Sequence, residues 1–279
     1  MTIDMSTTRT DLALESVQAA CSGAETGTIS GVRSRERTRE GYAVTDIRVE
    51  DEDGAQALGK PVGRYVTVDL GPYFRREADY FDRGVRCLAG ELAALLPEGP
   101  VLAAGLGNRA MTCDAVGPAS IDNLLVTRHM IRAMPRQFAD FRPVAAVCPG
   151  VLARTGLEAL ELVRGAVERV RPAAVIAVDA LAARDSARLC ATVQLSDTGL
   201  VPGSGVGNRR SALDRGTLGV PVIAVGIPTV VDVDPRAGLF LTPRDIDQRI
   251  RELGRLLGYG ITLALQPSLT AADVTALLG

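Results

Sequence analysis

From residue 99 onward the chain alternates short apolar runs with amphipathic helical stretches, and this alternation restricts the possible folds more than any other feature. The strand candidates are GPVLAAGLGN at 99–108, VAAVC at 144–148, AAVIAV at 173–178 and VPVIAV at 220–225. One helical stretch, TGLEALELVRGAVERV, places a row of aliphatic side chains on one face: Leu157, Leu160, Val163, Val167 and Val170. Strands that are apolar on both faces and alternate with helices predict a mostly parallel sheet covered by helices.

Residues 28–70 follow a different pattern, which predicts a small β-rich section near the amino terminus. Three strand-like segments, TISGVRSRE, YAVTDIRVE and RYVTVDL, are interrupted by EDGAQALGKPVG with its Gly and Pro. A chain of 279 residues is near the upper limit for one hydrophobic core. We therefore expect one α/β unit with a mostly parallel central sheet, flanking helices and this β-rich section.

Charge and cysteine usage exclude several classes of protein. A formal net charge of −2 gives no electrostatic basis for non-specific binding to nucleic acid. No apolar stretch reaches membrane-spanning length, and the first residues lack the apolar core of a signal peptide. The five cysteines are widely spaced without a CxxC pair, which is typical of a reducing, intracellular compartment. Lys60 is the only lysine, and we interpret it as compositional bias.

Two aspartates follow apolar strand candidates and form the first candidate site. In open α/β sheets, ligands bind at the carboxyl ends of the strands. Asp179 follows AAVIAV directly, and Asp114 lies a few residues beyond GLGN. Two carboxylates that share a site divide their roles, since one keeps a proton while the other acts as a base toward water. The alternative is structural: Asp179 would cap a following helix and Asp114 would be a turn residue.

Two glycine-rich segments have weaker functional interpretations. GLGNRA at 105–110 satisfies a loose dinucleotide fingerprint, but the next strand ends in Cys148 and Pro149 rather than in the acidic residue that would bind the ribose. GSGVGN at 203–208 is not a phosphate-binding loop, because no GxxxxGK followed by Ser or Thr is present. Such glycines form tight turns, or they let a peptide or an oxyanion approach the backbone.

His129 is the only histidine, and we place it on the helix after Asp114. One histidine cannot form a multi-histidine metal site. It could still be a packed or surface residue, a metal ligand beside Asp114 and Asp179, or a partner for Cys148.

Several long segments, taken in order, resemble the spore germination proteases, endopeptidases that degrade small acid-soluble spore proteins. The segments are NLLVTRHM, CPGVLARTGLE, VIAVDALAARD, LSDTGLVPGSGVGNRR, LGVPVIAVGIPTVVD and GYGITLALQPSLTAADVTALL. TRTDLALE and ALGKPVGRYVTVDL extend the resemblance toward the amino terminus. The resemblance implies an atypical aspartic peptidase with a fold similar to that of hydrogenase maturation peptidases. It also implies a homotetrameric zymogen in the forespore, within the spore core, with no cofactor.

The same resemblance assigns roles to particular residues. The catalytic aspartates of the family fall on Asp114 and Asp179. The family's self-processing site corresponds to cleavage between Asp11 and Leu12, so residues 1–11 are the expected propeptide and residues 12–279 the peptidase domain. TDLALE resembles the acidic recognition site of the substrates.

The chain departs from the family pattern at two places. Arg109 and Cys113 replace an aromatic residue and a proline, and a segment after Asp232 is shorter than usual. Three other functions remain open. They are metal-assisted hydrolysis through Asp114, Asp179 and His129, dinucleotide binding through GLGNRA, and inert binding of spore proteins.

Overall fold

A computed structural model describes residues 10–22, 29–207, 210–234 and 238–279 of the protein. The described strands are β1 (Val32–Arg39), β2 (Tyr42–Val49), β3 (Gly63–Asp69), β4 (Val101–Leu106), β5 (Val144–Gly150), β6 (Ala174–Ala183), β7 (Thr192–Ser196), β8 (Val222–Asp234) and β9 (Leu239–Leu241). The longer helices are α1 (Ala13–Ser22), α2 (Glu52–Leu58), α4 (Tyr80–Ala93), α5 (Val116–Asp122), α8 (Ala159–Val170), α10 (Ile246–Leu265) and α11 (Ala271–Leu278). Short helices are α3 (Gly71–Phe74), α6 (Arg128–Ala133), α7 (Leu152–Thr155) and α9 (Arg215–Leu218).

The strands form one sheet in the order β1-β2-β3-β7-β8-β6-β4-β5, with β9 paired to β8. Strands β8, β6, β4 and β5 are parallel to one another, as the alternating apolar runs predict. The expected α/β fold class is therefore confirmed. The β-rich section is continuous with this sheet, because β3 pairs with β7 and β7 pairs antiparallel with β8. Strand β7 was not predicted.

Helices cover both faces of the parallel strands. On one face, α4, α5 and α10 pack together over a core that includes Leu253, Leu256 and Leu257. On the other face, α8 contributes Leu160, Val163 and Val167, which contact β4 and its neighbours. Leu157, predicted for the same helical face, precedes the helix and is exposed.

Helix α5 lies unusually close to the sheet because Gly117 has no side chain. A Cβ atom at Gly117 would lie 2.2 Å from the Leu106 carbonyl oxygen and 2.5 Å from that of Val178. Both positions are backbone atoms of β4 and β6, the strands that lead to the two candidate aspartates. This contact therefore sets the position of the 107–114 loop relative to Asp179.

Within the described ranges, no helix has the length and apolar character needed to cross a membrane.

Candidate active site

Asp179 lies inside strand β6, where burial and strand pairing fix its side chain. In the parallel register it is opposite Gly226 of β8, and it is only 6% exposed. Its Oδ1 atom accepts a hydrogen bond from the Ala180 N–H at 2.9 Å. Because β6 continues to Ala183, no helix begins at Asp179, and the helix-cap interpretation is wrong. The cap of the next helical turn is Asp185.

Asp114 ends a short 3₁₀ turn, Thr112–Asp114, and closes the loop that follows β4. Its Oδ2 atom accepts a hydrogen bond from the Asn108 N–H at 2.9 Å. Gly107 makes this closure possible, with φ of +109° and an ideal Cβ position only 2.0 Å from the Asp114 carbonyl oxygen. Asp114 is therefore a turn residue, as the structural alternative predicts. Its carboxylate also faces a cleft.

The two aspartates open into the same cavity, which has a volume of about 510 Å³. Burial raises the pKa of Asp179 well above the ordinary value of 3.8, and the charges of Asp114 and then Asp11 add to this effect. Burial also raises the pKa of Asp114, against the effect of its hydrogen bond from Asn108. Of the two, Asp179 is the more buried and has the stronger cause to keep its proton.

Asp11 lies between this cavity and a second one of about 660 Å³. Asp11 and Asp179 line both, whereas Asp114 lines the first and Lys60 and Gln194 line the second. The Asp11 N–H donates to the Ala182 carbonyl oxygen at 2.9 Å, and the Ala182 N–H donates to the Asp11 carboxylate at the same distance. Ser204 Oγ donates to the other carboxylate oxygen at 2.7 Å. The aspartate side chain is therefore bound at both oxygens.

The carbonyl oxygen of Asp11 accepts two hydrogen bonds. One comes from Lys60 Nζ and the other from Gln194 Nε2, each at 3.0 Å. Gln194 is buried, and its Oε1 accepts from the Ala13 N–H at 2.7 Å. Burial lowers the pKa of Lys60, while the charges of Asp11 and Glu15 oppose that shift. Lys60, whose presence as the only lysine we attributed to compositional bias, therefore lies at the centre of the candidate site.

The residues after Asp11 are also bound tightly. Leu12 is fully buried in a small apolar cluster with Ala183, Leu189 and Val231. The Glu15 carboxylate accepts hydrogen bonds from the backbone N–H groups of Arg184 at 2.7 Å and Asp185 at 2.9 Å. The acidic side chains of Asp11 and Glu15 are therefore bound by hydrogen-bond donors, and the apolar side chain of Leu12 is bound by an apolar cluster.

The glycine-rich segment after residue 202 lets the chain approach Asp11. An ideal Cβ atom on Gly205 would lie 2.1 Å from Asp11 Oδ2 and 2.5 Å from Ala182 Cβ. Glycine at this position provides the space that the Asp11 carboxylate occupies. The interpretation that these glycines admit a peptide close to the backbone agrees with this contact. Residues 208–209 of the predicted segment lie outside the described residues.

The other sequence candidates lie apart from the aspartate pair. His129 is exposed on α6, the second rather than the first helix after Asp114, and it lines neither cavity. Burial raises the pKa of the Cys148 thiol, whose partner is Arg109 at 3.7 Å. Within the described part of the chain, no three His, Cys, Asp or Glu side chains are grouped as metal ligands.

The two departures near Asp114 have separate local roles. Arg109 is exposed and donates to Asp122 at 2.8 Å, so it ties the loop to α5 without lining the cleft. Cys113 lines the cleft, and burial followed by the charge of Asp114 raises the pKa of its thiol. Its backbone carbonyl oxygen accepts from Thr229 Oγ1 at 2.6 Å, which anchors the turn to β8.

The fold and the site define an α/β protein in which the parallel strands of a mixed sheet carry a pair of acidic groups beside a bound segment of its own chain. A family model described as germination protease matches residues 9–236. The chain belongs to the germination protease family, and it is therefore a peptidase with a role in spore germination.

The similarity to curated germination proteases extends over most of the chain. The protein is 39% identical to that of Caldanaerobacter subterraneus subsp. tengcongensis, over 97% of this chain and 98% of the relative. It is 36% identical to that of Clostridium perfringens strain ATCC 13124, over the same shares. With the Bacillus cereus strain B4264 protein the identity is 41%, over 90% of this chain and 69% of the relative.

Among solved structures, the chain is similar to the NiFe hydrogenase maturation protease HycI of Thermococcus kodakarensis. The TM-score is 0.39 at 17% identity, over 63% of this chain and 99% of that chain.

Proposed function

We propose that the protein is an aspartic endopeptidase in which Asp114 and Asp179 together activate a water molecule. The observation that carries this proposal is the shared cavity, where two carboxyl groups with raised pKa values lie beside a bound peptide segment. Burial raises the pKa of both carboxyl groups, and the charge of Asp114 raises that of Asp179 further, which favours one shared proton over two charged carboxylates. The arrangement needs neither a metal ion nor His129.

The environments of the two carboxyl groups support a division of roles. Asp179 is the more buried and is repelled by both Asp114 and Asp11, so it is the protonated partner. Asp114 is the carboxylate that accepts a proton from the attacking water. Protonated Asp179 then supplies the proton that the leaving amine needs.

This division predicts a bell-shaped pH dependence of the cleavage rate. The rate rises with pH as Asp114 loses its proton, and because its pKa is raised this limb lies above the ordinary value of 3.8. The rate falls at higher pH as Asp179 loses its proton, at a pKa well above 3.8. Single-turnover rates measured across pH test this. A rate that rises through 3.8 and stays constant to alkaline pH would contradict the assignment.

The bound segment supports self-processing as a second part of the proposal. Asp11 pairs with the end of β6 immediately before α1 begins at Ala13, and it lines both cavities. Cleavage between Asp11 and Leu12 would release residues 1–11 as a propeptide and leave residues 12–279 as the peptidase domain. Residues 1–9 lie outside the described residues.

The same contacts make the uncut chain an inhibited zymogen. While Asp11 lines the cleft and Leu12 fills the apolar cluster beside it, another peptide cannot place its scissile bond beside the aspartates. Cleavage alone releases the chain up to Asp11, and Leu12 to Glu15 must also leave before a substrate can bind there in their place. Activation therefore includes displacement of this segment as well as hydrolysis.

For the substrate, we propose small acid-soluble spore proteins with a segment like TDLALE. Ser204 and the Ala182 N–H suit an acidic residue before the cleaved bond, and the cluster around Leu12 suits an apolar residue after it. The family's role in spore germination supports this substrate class and the forespore location. The homotetramer as the working form rests on the resemblance of the sequence alone.

The direct test is digestion of a purified small acid-soluble spore protein by the activated enzyme, followed by mass mapping of the fragments. Cuts between an acidic and an apolar residue, retained in excess chelator, are expected. Tight binding without cleavage would instead identify an inert binder. Loss of cleavage in chelator, restored by added metal, would favour metal-assisted hydrolysis.

A further inference from the structure

The Asp11 carbonyl oxygen has a pair of donors that come from distant parts of the chain. Lys60 follows α2, and Gln194 lies in the middle of β7. Lys60 Nζ also donates to the Thr10 carbonyl oxygen at 3.2 Å, so the ammonium group bridges two successive carbonyls. No other side chain among the described residues donates to either of these carbonyl oxygens.

The orientation of the Gln194 amide is fixed by its two partners. Its Oε1 atom must accept the hydrogen bond from the Ala13 N–H, since an N–H group can only donate. Its Nε2 atom therefore faces the Asp11 carbonyl oxygen. One buried amide thus holds the segment on both sides of the Asp11–Leu12 bond, which fixes that peptide relative to the sheet.

We propose that Lys60 and Gln194 are catalytic residues that form the oxyanion hole for hydrolysis of the Asp11–Leu12 bond. This inference rests on the proposed self-processing function and adds residues to it. Donors that already lie 3.0 Å from the carbonyl oxygen are in place when negative charge develops there. In a partly buried cleft such donors stabilise the charge more strongly than water does.

The reaction then proceeds with each group in one role. The water oxygen bonds to the Asp11 carbonyl carbon, its proton passes to Asp114, and the π electron pair moves to the carbonyl oxygen. Lys60 Nζ and Gln194 Nε2 stabilise that oxyanion. When the carbonyl re-forms, the bond to the Leu12 nitrogen breaks and Asp179 gives its proton to the amine. Because the oxyanion has its own donors, Asp179 does not need to protonate it.

Two variants test the inference, and each keeps the shape of the site. Lys60→Met removes the ammonium donor but retains a long side chain. Gln194→Glu retains an oxygen for the Ala13 N–H and replaces the donor with an acceptor. Gln56→Glu, an exposed change on α2, is the matched control. Self-cleavage is followed by intact mass as a single-turnover rate constant at several pH values.

We expect each site variant to lose about 100-fold in the self-cleavage rate constant. The rate of Gln194→Glu relative to wild type should recover as pH falls, because a protonated Glu regains a donor for the oxyanion. A packing defect would not give that recovery, and Lys60→Met, which has no donor at any pH, should not show it. Gln56→Glu should match wild type at every pH, and thermal unfolding checks that each variant is folded.

Three outcomes would overturn the inference or separate it from the proposed function. Wild-type rates in both variants would show that Lys60 and Gln194 do not contribute to the reaction. If those variants cleave normally while Asp179→Asn does not, the aspartate mechanism stands and the oxyanion hole fails. A wild-type chain that never cleaves at Asp11–Leu12 would overturn self-processing together with this inference.

Discussion

Asp179→Asn is expected to reduce the rate constant of self-cleavage by on the order of 10⁴-fold. Asn fills the same volume in β6 and can still accept the Ala180 N–H, but it cannot transfer a proton to the leaving amine. Asp114→Asn should have a similar effect, because an amide cannot take the proton from water. Single-turnover rates from intact mass measure both losses.

The double variant and a matched control make this prediction specific to the pair. If the two carboxyl groups act as one unit, Asp114→Asn combined with Asp179→Asn should be no slower than either single variant. Asp122→Asn changes an exposed aspartate of α5 that pairs with Arg109, and it should leave the rate within a few-fold of wild type. Cleavage at the wild-type rate by folded Asp179→Asn would refute the carboxyl-pair mechanism.

Gly117→Ala is expected to cause a large loss of stability. The new Cβ atom would lie within 2.6 Å of backbone atoms of Leu106 and Val178. Backbone atoms inside a sheet cannot yield as a flexible side chain can, so α5 must move away from β4 and β6. We expect destabilisation of about 3 kcal/mol, together with lost cleavage because the loop to Asp114 moves.

Gly165 of α8 provides the control for this substitution. Nothing lies within 4 Å of an ideal Cβ atom there, and the residue is helical. Gly165→Ala should therefore stabilise the protein by about 0.5–1 kcal/mol, since Ala orders more readily than Gly in a helix. Urea unfolding curves compare the two variants. Equal stability of Gly117→Ala and wild type would contradict the close packing of α5 on the sheet.

The parallel part of the fold could be predicted because its strands are apolar on both faces and alternate with helices. Strand β7 could not, since TVQLS is short and includes the polar side chain of Gln194. Its place between β3 and β8 is decided by pairing between segments far apart in sequence. That placement joins the β-rich section to the parallel strands and carries Gln194 to the cleft.

The candidate site, like the fold, could be predicted only in part from the sequence. Asp114 and Asp179 each come after an apolar run in the sequence, and general rules for open sheets place such residues at one edge, although β6 continues past Asp179 to Ala183. Lys60 is in a turn after a short helix, where nothing local distinguishes it from a solvated lysine. Lys60 stands out as the only lysine of the chain, but composition alone does not show where a residue lies in the fold. Only the docking of residues 10–15 reveals the contact between Lys60 and the Asp11 carbonyl oxygen.

The central claim is that the chain holds its own Asp11–Leu12 bond beside the aspartate pair and hydrolyses it there. The most direct measurement is intact mass of the purified wild-type protein during incubation, repeated over a hundred-fold range of protein concentration. The account predicts fragments of residues 1–11 and 12–279, formed with a rate constant that does not depend on concentration. A rate that increases with concentration, or a first cut at another bond, would contradict it.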